Sequence, residues 1–274
     1  MNTTYTRGTA LIETILIVTA VIFMIPMIVL VAVALRDPDA AVGLFGFTWP
    51  LKFENIAIAW TESAMGASII NSLVITVTSV LLIIVIASIA SYTLTRRTEK
   101  WSRGVFYLFL AGFLFPGQLA LLPLYLTFSK LGLVGNPLSV ILISVAGNLP
   151  FTIFLYSAFL RDMPKDYEEA AMLDGARPLR AFWTVVFPLL RPVTGTVAIL
   201  AALGIWNDFL HPLLYLTGGS SRTAPLSVYT FVGEYSANWP LVFSALITSV
   251  IPILIAYFLM QRFILRGFAS GLKG

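Results

Sequence analysis

Three polar side chains with the chemistry of a binding site lie inside an apolar run, Asn207, Asp208 and His211 in the stretch IWNDFLHPLLY. Amide and carboxylate oxygens accept hydrogen bonds from the hydroxyl groups of a polar solute, and Trp206 or Tyr215 offers an apolar face beside them. On a continuous helix, residues three and four apart are neighbours, which would put all three side chains in one sector. An ionised group deep in lipid costs about 2.5–3.5 kcal/mol on insertion scales, so Asp208 is expected to face protein or a water-lined path. Gln118 and Asn148, beside the prolines at 116 and 150, are candidates for the same path. The plain alternative is that these groups are inter-helix hydrogen bonds, and that His211 pairs with Asp208 and fixes its charge. Other chemistries are absent by residue type. With no cysteine and a single histidine, the chain has no thiolate metal ligands and no convincing nucleophile–base constellation, and no metal site is expected. No Gly-x-x-x-x-Gly-Lys-Ser/Thr occurs, so the chain has no P-loop to cradle ATP phosphates.

The elements that must position these residues are long apolar helices. Of the 274 residues, 58% are hydrophobic and 11% charged, against about 25% charged in a soluble domain. About 20 apolar residues cross the hydrocarbon core, and six runs of that length are present: Leu11 to Leu35, Ile69 to Thr95, Gly104 to Phe128, Leu138 to Leu160, Pro192 to Leu216 and Leu241 to Leu265. The expected fold class is an all-α polytopic membrane protein, because helices satisfy their backbone groups without water. Ala32-Val33-Ala34 resembles a signal-peptidase site, but the run before it is far longer than a signal h-region of about 7–15 residues, so it is read as a retained span. The third span is expected to be interrupted at Pro116-Gly117 and Pro123, and the fourth at Gly147 and Pro150.

Charge sets the expected orientation. With a cytoplasmic N-terminus, the inner segments carry 13 of the 17 Lys and Arg residues and the outer segments 4 (Arg36, Lys52, Lys130, Arg222), a strong positive-inside bias with both termini cytoplasmic. The net charge of +4 follows from this anchoring and is poor evidence for nucleic-acid binding. Residues 1–68 read as a cytoplasmic tail, a first span and an external segment. Residues 69–274 read as a core of five spans.

One polar island, residues 161–191, interrupts the apolar pattern on the cytoplasmic side. Asp162 and Pro164 suit a helix start, and the carboxylates of Asp166, Glu168 and Glu169 suit the positive end of its dipole. Gly175 suits the left-handed position after a helix. Pro178 can open a second helix, along which Leu179, Phe182, Trp183 and Val186 make one apolar stripe. Pro188 and Pro192 are expected to end the unit before the fifth span. The island thus reads as a helix–turn–helix between spans four and five. The small side chains of Ala170 and Ala171 permit close approach to another surface, and Glu169 can pair with a cation there. The bland alternative is a solvated loop, which has no need of a stripe and a placed glycine.

At these residues the chain resembles the integral membrane permeases of ATP-binding-cassette importers. Their signature of Glu-Ala-Ala, three residues, Gly, nine residues and a hydrophobic-x-Leu-Pro ending is matched by Glu169, Ala170, Ala171 and Gly175. Val185-Val186-Phe187-Pro188 closes the pattern, with Phe187 in place of the usual leucine. The chain is more narrowly similar to the maltose-type carbohydrate-uptake group, through Asn71-Ser72-Leu73, Pro123-Leu124-Tyr125, Leu131-Gly132-Leu133, Asp174-Gly175-Ala176, Trp206-Asn207-Asp208-Phe209-Leu210, Gln261-Arg262 and the terminal Lys273-Gly274. The Ser270–Gly274 tail is shorter than the Gly-rich stretch common in that group. The resemblance implies a non-catalytic subunit of a prokaryotic cell membrane with four kinds of partner: a second homologous permease, two cytoplasmic ATPase subunits, an extracytoplasmic substrate-binding protein, and the bilayer. No cofactor is implied on this chain, and ATP and Mg belong to the ATPases. By residue-wise carry-over Glu169, Ala170, Ala171 and Gly175 are the coupling residues, with Asp174 and Arg177 beside them. Two other classes are weighed against this one. An ion-coupled secondary transporter would relay protons through Asp208, His211 and Glu13, but six spans with no inverted repeat speak against it. A membrane-embedded enzyme lacks its constellation.

Overall fold

The computed structural model describes residues 7–38, 46, 48–217, 221–233 and 237–271; at Met260 and beyond Gln261 it describes the helix path and not the side chains. The Leu272-Lys273-Gly274 tail and the side chains of Arg7, Arg262, Arg266 and Lys273 lie outside the described residues. In chain order the α-helices are α1 (Arg7–Ala34), α2 (Glu54–Glu62), α3 (Met65–Arg96), α4 (Lys100–Leu114), α5 (Leu121–Lys130), α6 (Pro137–Asp162), α7 (Asp166–Leu173), α8 (Pro178–Ala181), α9 (Phe187–Leu189), α10 (Arg191–Trp206), α11 (Leu210–Tyr215), α12 (Ala224–Val228) and α13 (Trp239–Gly271). Among the described residues there is no named strand, only an isolated antiparallel bridge between Val232 and Ala237. Among the described residues four helices are long and apolar enough to cross a membrane; two bent pairs, Lys100–Leu114 with Gly117–Lys130 and Pro178–Leu189 with Arg191–Trp206, pass that test only when each pair is taken together, for up to six spans.

The chain forms two compact units, one of residues 1–66 and 227–251, the other of 67–226 and 252–274. In the first, the end of α1 is tied down by polar side chains. The buried Asn55 Nδ2 donates to the carbonyls of Ala34 (2.9 Å) and Arg36 (2.7 Å), and Ser244 Oγ of α13 donates to Ala34 (3.0 Å). The carbonyls at a helix C-terminus have no intrahelical donor, and these contacts supply them. The most apolar window of α1 has no buried residue, so its whole circumference suits lipid or another chain.

The second unit is built around α6. Its buried Ile153, Tyr156 and Leu160 pack with Ile83 and Ala87 of α3 and Val193 and Val197 of α10. The packing is pinned by the Tyr156 hydroxyl on Thr194 Oγ1 (3.0 Å) and Ser91 Oγ on the Ile153 carbonyl (3.2 Å). In a chain surrounded by lipid, such inter-helix hydrogen bonds and close packing replace the hydrophobic effect as the cohesive force.

Proline acts differently at its several positions. The third span breaks as expected: α4 ends at Leu114, Phe115 is extended, and a 3-10 turn (Gly117–Ala120) leads into α5 with a 92° bend. The ring of Pro116 forces this, because the residue before a proline is pushed out of the helical region. Pro123 sits in the first turn of α5, where no break is needed. The expected interruption of the fourth span does not occur: α6 runs through Gly147 and Pro150 as one helix. The carbonyl that loses its donor there belongs to Ala146, a residue that lines a cavity. The fifth span is not continuous to Leu216. It stops at Trp206 and resumes as α11 after a turn at Asn207-Asp208-Phe209.

Candidate functional site

Two places gather the polar side chains of the second unit. The first is the island. Asp162 closes α6 instead of opening the next helix, and α7 starts at Asp166 with Asp166, Glu168 and Glu169 in its first turn. α7 ends in a Schellman pair of bonds, from Ala176 N–H to the Ala171 carbonyl and from Gly175 N–H to the Met172 carbonyl (both 3.0 Å). That geometry needs a left-handed residue, and Gly175 has φ +85°. Pro178 opens α8, which continues through a π-helical turn (Phe182–Val186) into α9. Pro188 lies inside this helix and does not end it. The unit ends at Leu190, where the chain bends by 76° into α10 with Pro192 in its first turn.

The apolar stripe of the island is divided between two environments. Phe182 and Val186 are buried in the core, whereas Leu179 is 62% exposed and Trp183 37%. Leu173 stands out at 89%. Glu169, Ala170, Asp174, Gly175 and Arg177 are exposed and Ala171 is half-buried, so the carried-over residues are presented outward. Glu168 is the opposite. It is buried at 4%, and its Oε1 lies 2.8 Å from Nε of Arg96 at the end of α3. Arg96 also donates to the carbonyls of Leu160 (3.1 Å) and Met163 (3.2 Å). Sequence reasoning assigned Glu168 only to the helix dipole and missed this pair. Arg96 is a cation ending a long apolar helix, but nothing in the sequence says which of the two glutamates it meets.

The second place is a cavity of about 800 Å³ along the broken spans, lined by Phe115, Pro116, Ser144, Asn148, Asp208 and His211 among mostly apolar neighbours. Asn148, Asp208 and His211 are thus brought together. Gln118 and Asn207 are exposed and are not among the lining residues. Asn148 Nδ2 donates to the Ser144 carbonyl one turn back (2.8 Å), and Asn207 Nδ2 does the same to Leu203 (2.9 Å). The expectation that Asn207, Asp208 and His211 share a sector of one helix fails, because Asp208 lies in the turn between α10 and α11. There it caps: Oδ1 accepts the backbone N–H of His211 (3.2 Å), and Oδ2 lies 2.6 Å from His211 Nδ1. Pro212 contributes to the break. In an unbroken helix its ring would meet the Asp208 carbonyl, whereas after the turn it falls in the first turn of α11; Pro26, Pro150 and Pro252 lie inside helices that do not end there. The Tyr215 hydroxyl then donates to the Leu121 carbonyl at the start of α5 (2.8 Å), joining the two broken spans. Among the described residues no cluster of metal-ligating side chains occurs.

A chain of several membrane-crossing helices, two of them broken beside a cavity, with a folded polar island between the fourth and fifth, has the architecture of a transport permease. Residues 83–269 match the family model described as "binding-protein-dependent transport system inner membrane component". The chain belongs to this family, the membrane-embedded permeases of ABC importers. It is 32% identical over 272 residues to the melibiose/raffinose/stachyose import permease protein MelC of Bacillus subtilis, covering 99% of each chain. It is 33% identical over 268 residues to the diacetylchitobiose uptake system permease protein NgcG of Streptomyces coelicolor, covering 97% of this chain and 89% of the relative. Its fold is shared with a solved bacterial ABC transporter involved in import of the acidic polysaccharide alginate, at TM-score 0.76 and 20% identity over 95% of this chain and 99% of the other.

Proposed function

We propose that this chain is the membrane-spanning subunit of an ATP-driven importer that takes up a sugar, with short oligosaccharides as the first class to test. The curated relatives support the solute class: the two described above are named for melibiose, raffinose and stachyose and for diacetylchitobiose. The cavity favours the same reading, since apolar walls with a few polar groups suit the alternating faces and hydroxyls of a pyranose. Ser144, Asn148, Asp208 and His211 are the side chains in it with hydrogen-bonding capacity for hydroxyls. Gln118 and Asn207 stand outside the cavity and enter the pathway only if the helices rearrange.

In this reading the chain itself hydrolyses nothing. Two cytoplasmic ATPase subunits bind ATP and Mg, a second homologous permease completes the pathway, and a binding protein delivers the solute from outside. Both termini and the island face the cytoplasm, consistent with the basic inner segments. α7 enters a cleft on the ATPase. Ala170 and Ala171 permit the approach, Glu169 meets a basic residue, Gly175 fixes the turn, and Asp174 and Arg177 flank it. The observation that carries this assignment is the outward presentation of Glu169 and of Leu173, 89% exposed, on a short helix whose other side is pinned by Glu168. The test is co-expression with the neighbouring transport genes and purification through a tag on this chain. The ATPase is expected to be retained by the wild type and lost from the Glu169→Ala, Gly175→Pro double variant. Retention by that variant would show that docking lies elsewhere.

A further inference from the structure

The end of α3 touches α7, the end of α6 and the second helix of the island. Arg96 reaches α7 through Glu168 and the end of α6 through the carbonyls of Leu160 and Met163. One turn earlier, Tyr92 packs on Phe182 of the island's second helix, with ring centroids 5.0 Å apart. The side chains of Arg96 and Glu168 are only 12% and 6% exposed. A guanidinium is suited to such a place, because its planar fork donates in several fixed directions at once and never loses its charge. A lysine ammonium cannot serve one carboxylate and two carbonyls with the same geometry. The two adjacent glutamates are therefore separated by function: Glu169 is presented outward and Glu168 is held inward.

We propose that Arg96 is a positioning residue for energy coupling: it locks α7 to the ends of α3 and α6, so that the island and these two spans move as one body. This rests on the docking reading above. A joint of this kind transmits displacement because it is short, dry and held in three directions. Without it, a pull on α7 would be absorbed by the chain on either side, at Met163–Lys165 and Asp174–Arg177.

The test uses the assembled complex with its ATPase subunits. The chain has no cysteine of its own, so Arg97→Cys at the end of α3 and Met172→Cys on α7 can carry a pair of spin labels. Distances are measured without nucleotide and after trapping with ATP, Mg and vanadate. With Arg96 in place, one narrow 97–172 distance is expected, unchanged by nucleotide. In Arg96→Ala the distribution should broaden and become nucleotide-dependent, and the trapped fraction at a given ATP concentration should fall about tenfold, the size of an ordinary coupling term. Arg96→Lys should fall between the two, restoring the charge without the fork. A merely structural role would lower thermal stability and leave the distance narrow and insensitive to nucleotide, which would overturn the proposal. If Arg96→Ala does not assemble, Arg96→Lys and Glu168→Gln decide by the same readout. The docking reading fails separately, by retention of the ATPase in the Glu169→Ala, Gly175→Pro variant, a result that does not alter the nucleotide-free distance.

Discussion

The joint at Arg96 and the turn at Asp208 are both built from a carboxylate and a cationic or potentially cationic partner, yet they hold the chain in different ways. At the joint, Glu168 and Arg96 come from separate helices and are almost fully buried, and the arginine spans to a third element. At the turn, Asp208 and His211 are three residues apart, and the pair closes on itself beside a cavity, with side chains 18% and 32% exposed. One contact ties elements together and the other shapes a single bend. The same pairing chemistry thus fastens several elements where it bridges helices, and shapes one bend where it stays within a turn.

This contrast can be broken by mutation. The largest loss of stability is expected for Arg96→Ala, about 3–5 kcal/mol, because Glu168 is left buried without its cation. Thermal unfolding of the purified protein in detergent measures it, and Glu168→Gln should lose less. Gly175→Ala should cost about 1–2 kcal/mol from the left-handed backbone alone, since an added Cβ meets nothing within 4 Å. Asp208→Ala removes a cap and should cost about 1 kcal/mol, with Asp208→Asn close to wild type. A loss at Asp208 as large as that at Arg96 would erase the distinction between the two regions. The smallest change is expected for Glu169→Ala, within about 0.5 kcal/mol as for other surface positions, even though the Glu169→Ala, Gly175→Pro double variant is expected to release the ATPase on purification.

Most of the spans were legible in the sequence because their signal is length: an apolar run long enough to cross lipid has few other uses. The bend at Pro116 was legible because the steric rule for the preceding residue is local. Pro150 misled, because a long helix can carry a proline without ending, as α1 and α13 also do at Pro26 and Pro252. The break at Asn207-Asp208 was hidden by the assumption of uniform helical spacing; Pro212 hinted at it but, like Pro150, does not fix a break alone. Gly175 and Pro178 marked the turn of the island within a residue or two. The difference between Glu168 and Glu169 was not legible at all. The two are adjacent in one helical turn, and the approach of Arg96 and Tyr92 from a distant part of the chain decides which is buried.

The π-helical turn at Phe182–Val186 has a consequence for how the island tolerates changes in length. Such a turn accommodates one residue more than the α-helix around it, and each α-helical residue advances the chain by about 100°. Deleting Thr184, whose side chain is exposed, would let the segment anneal into a plain α-helix without opening a gap. Pro188 and the bend at Leu190 would then keep their heading, because the residue removed is the one the wide turn absorbs. That turn is slack in the chain: it lets the island differ by one residue in length without redirecting the fifth span.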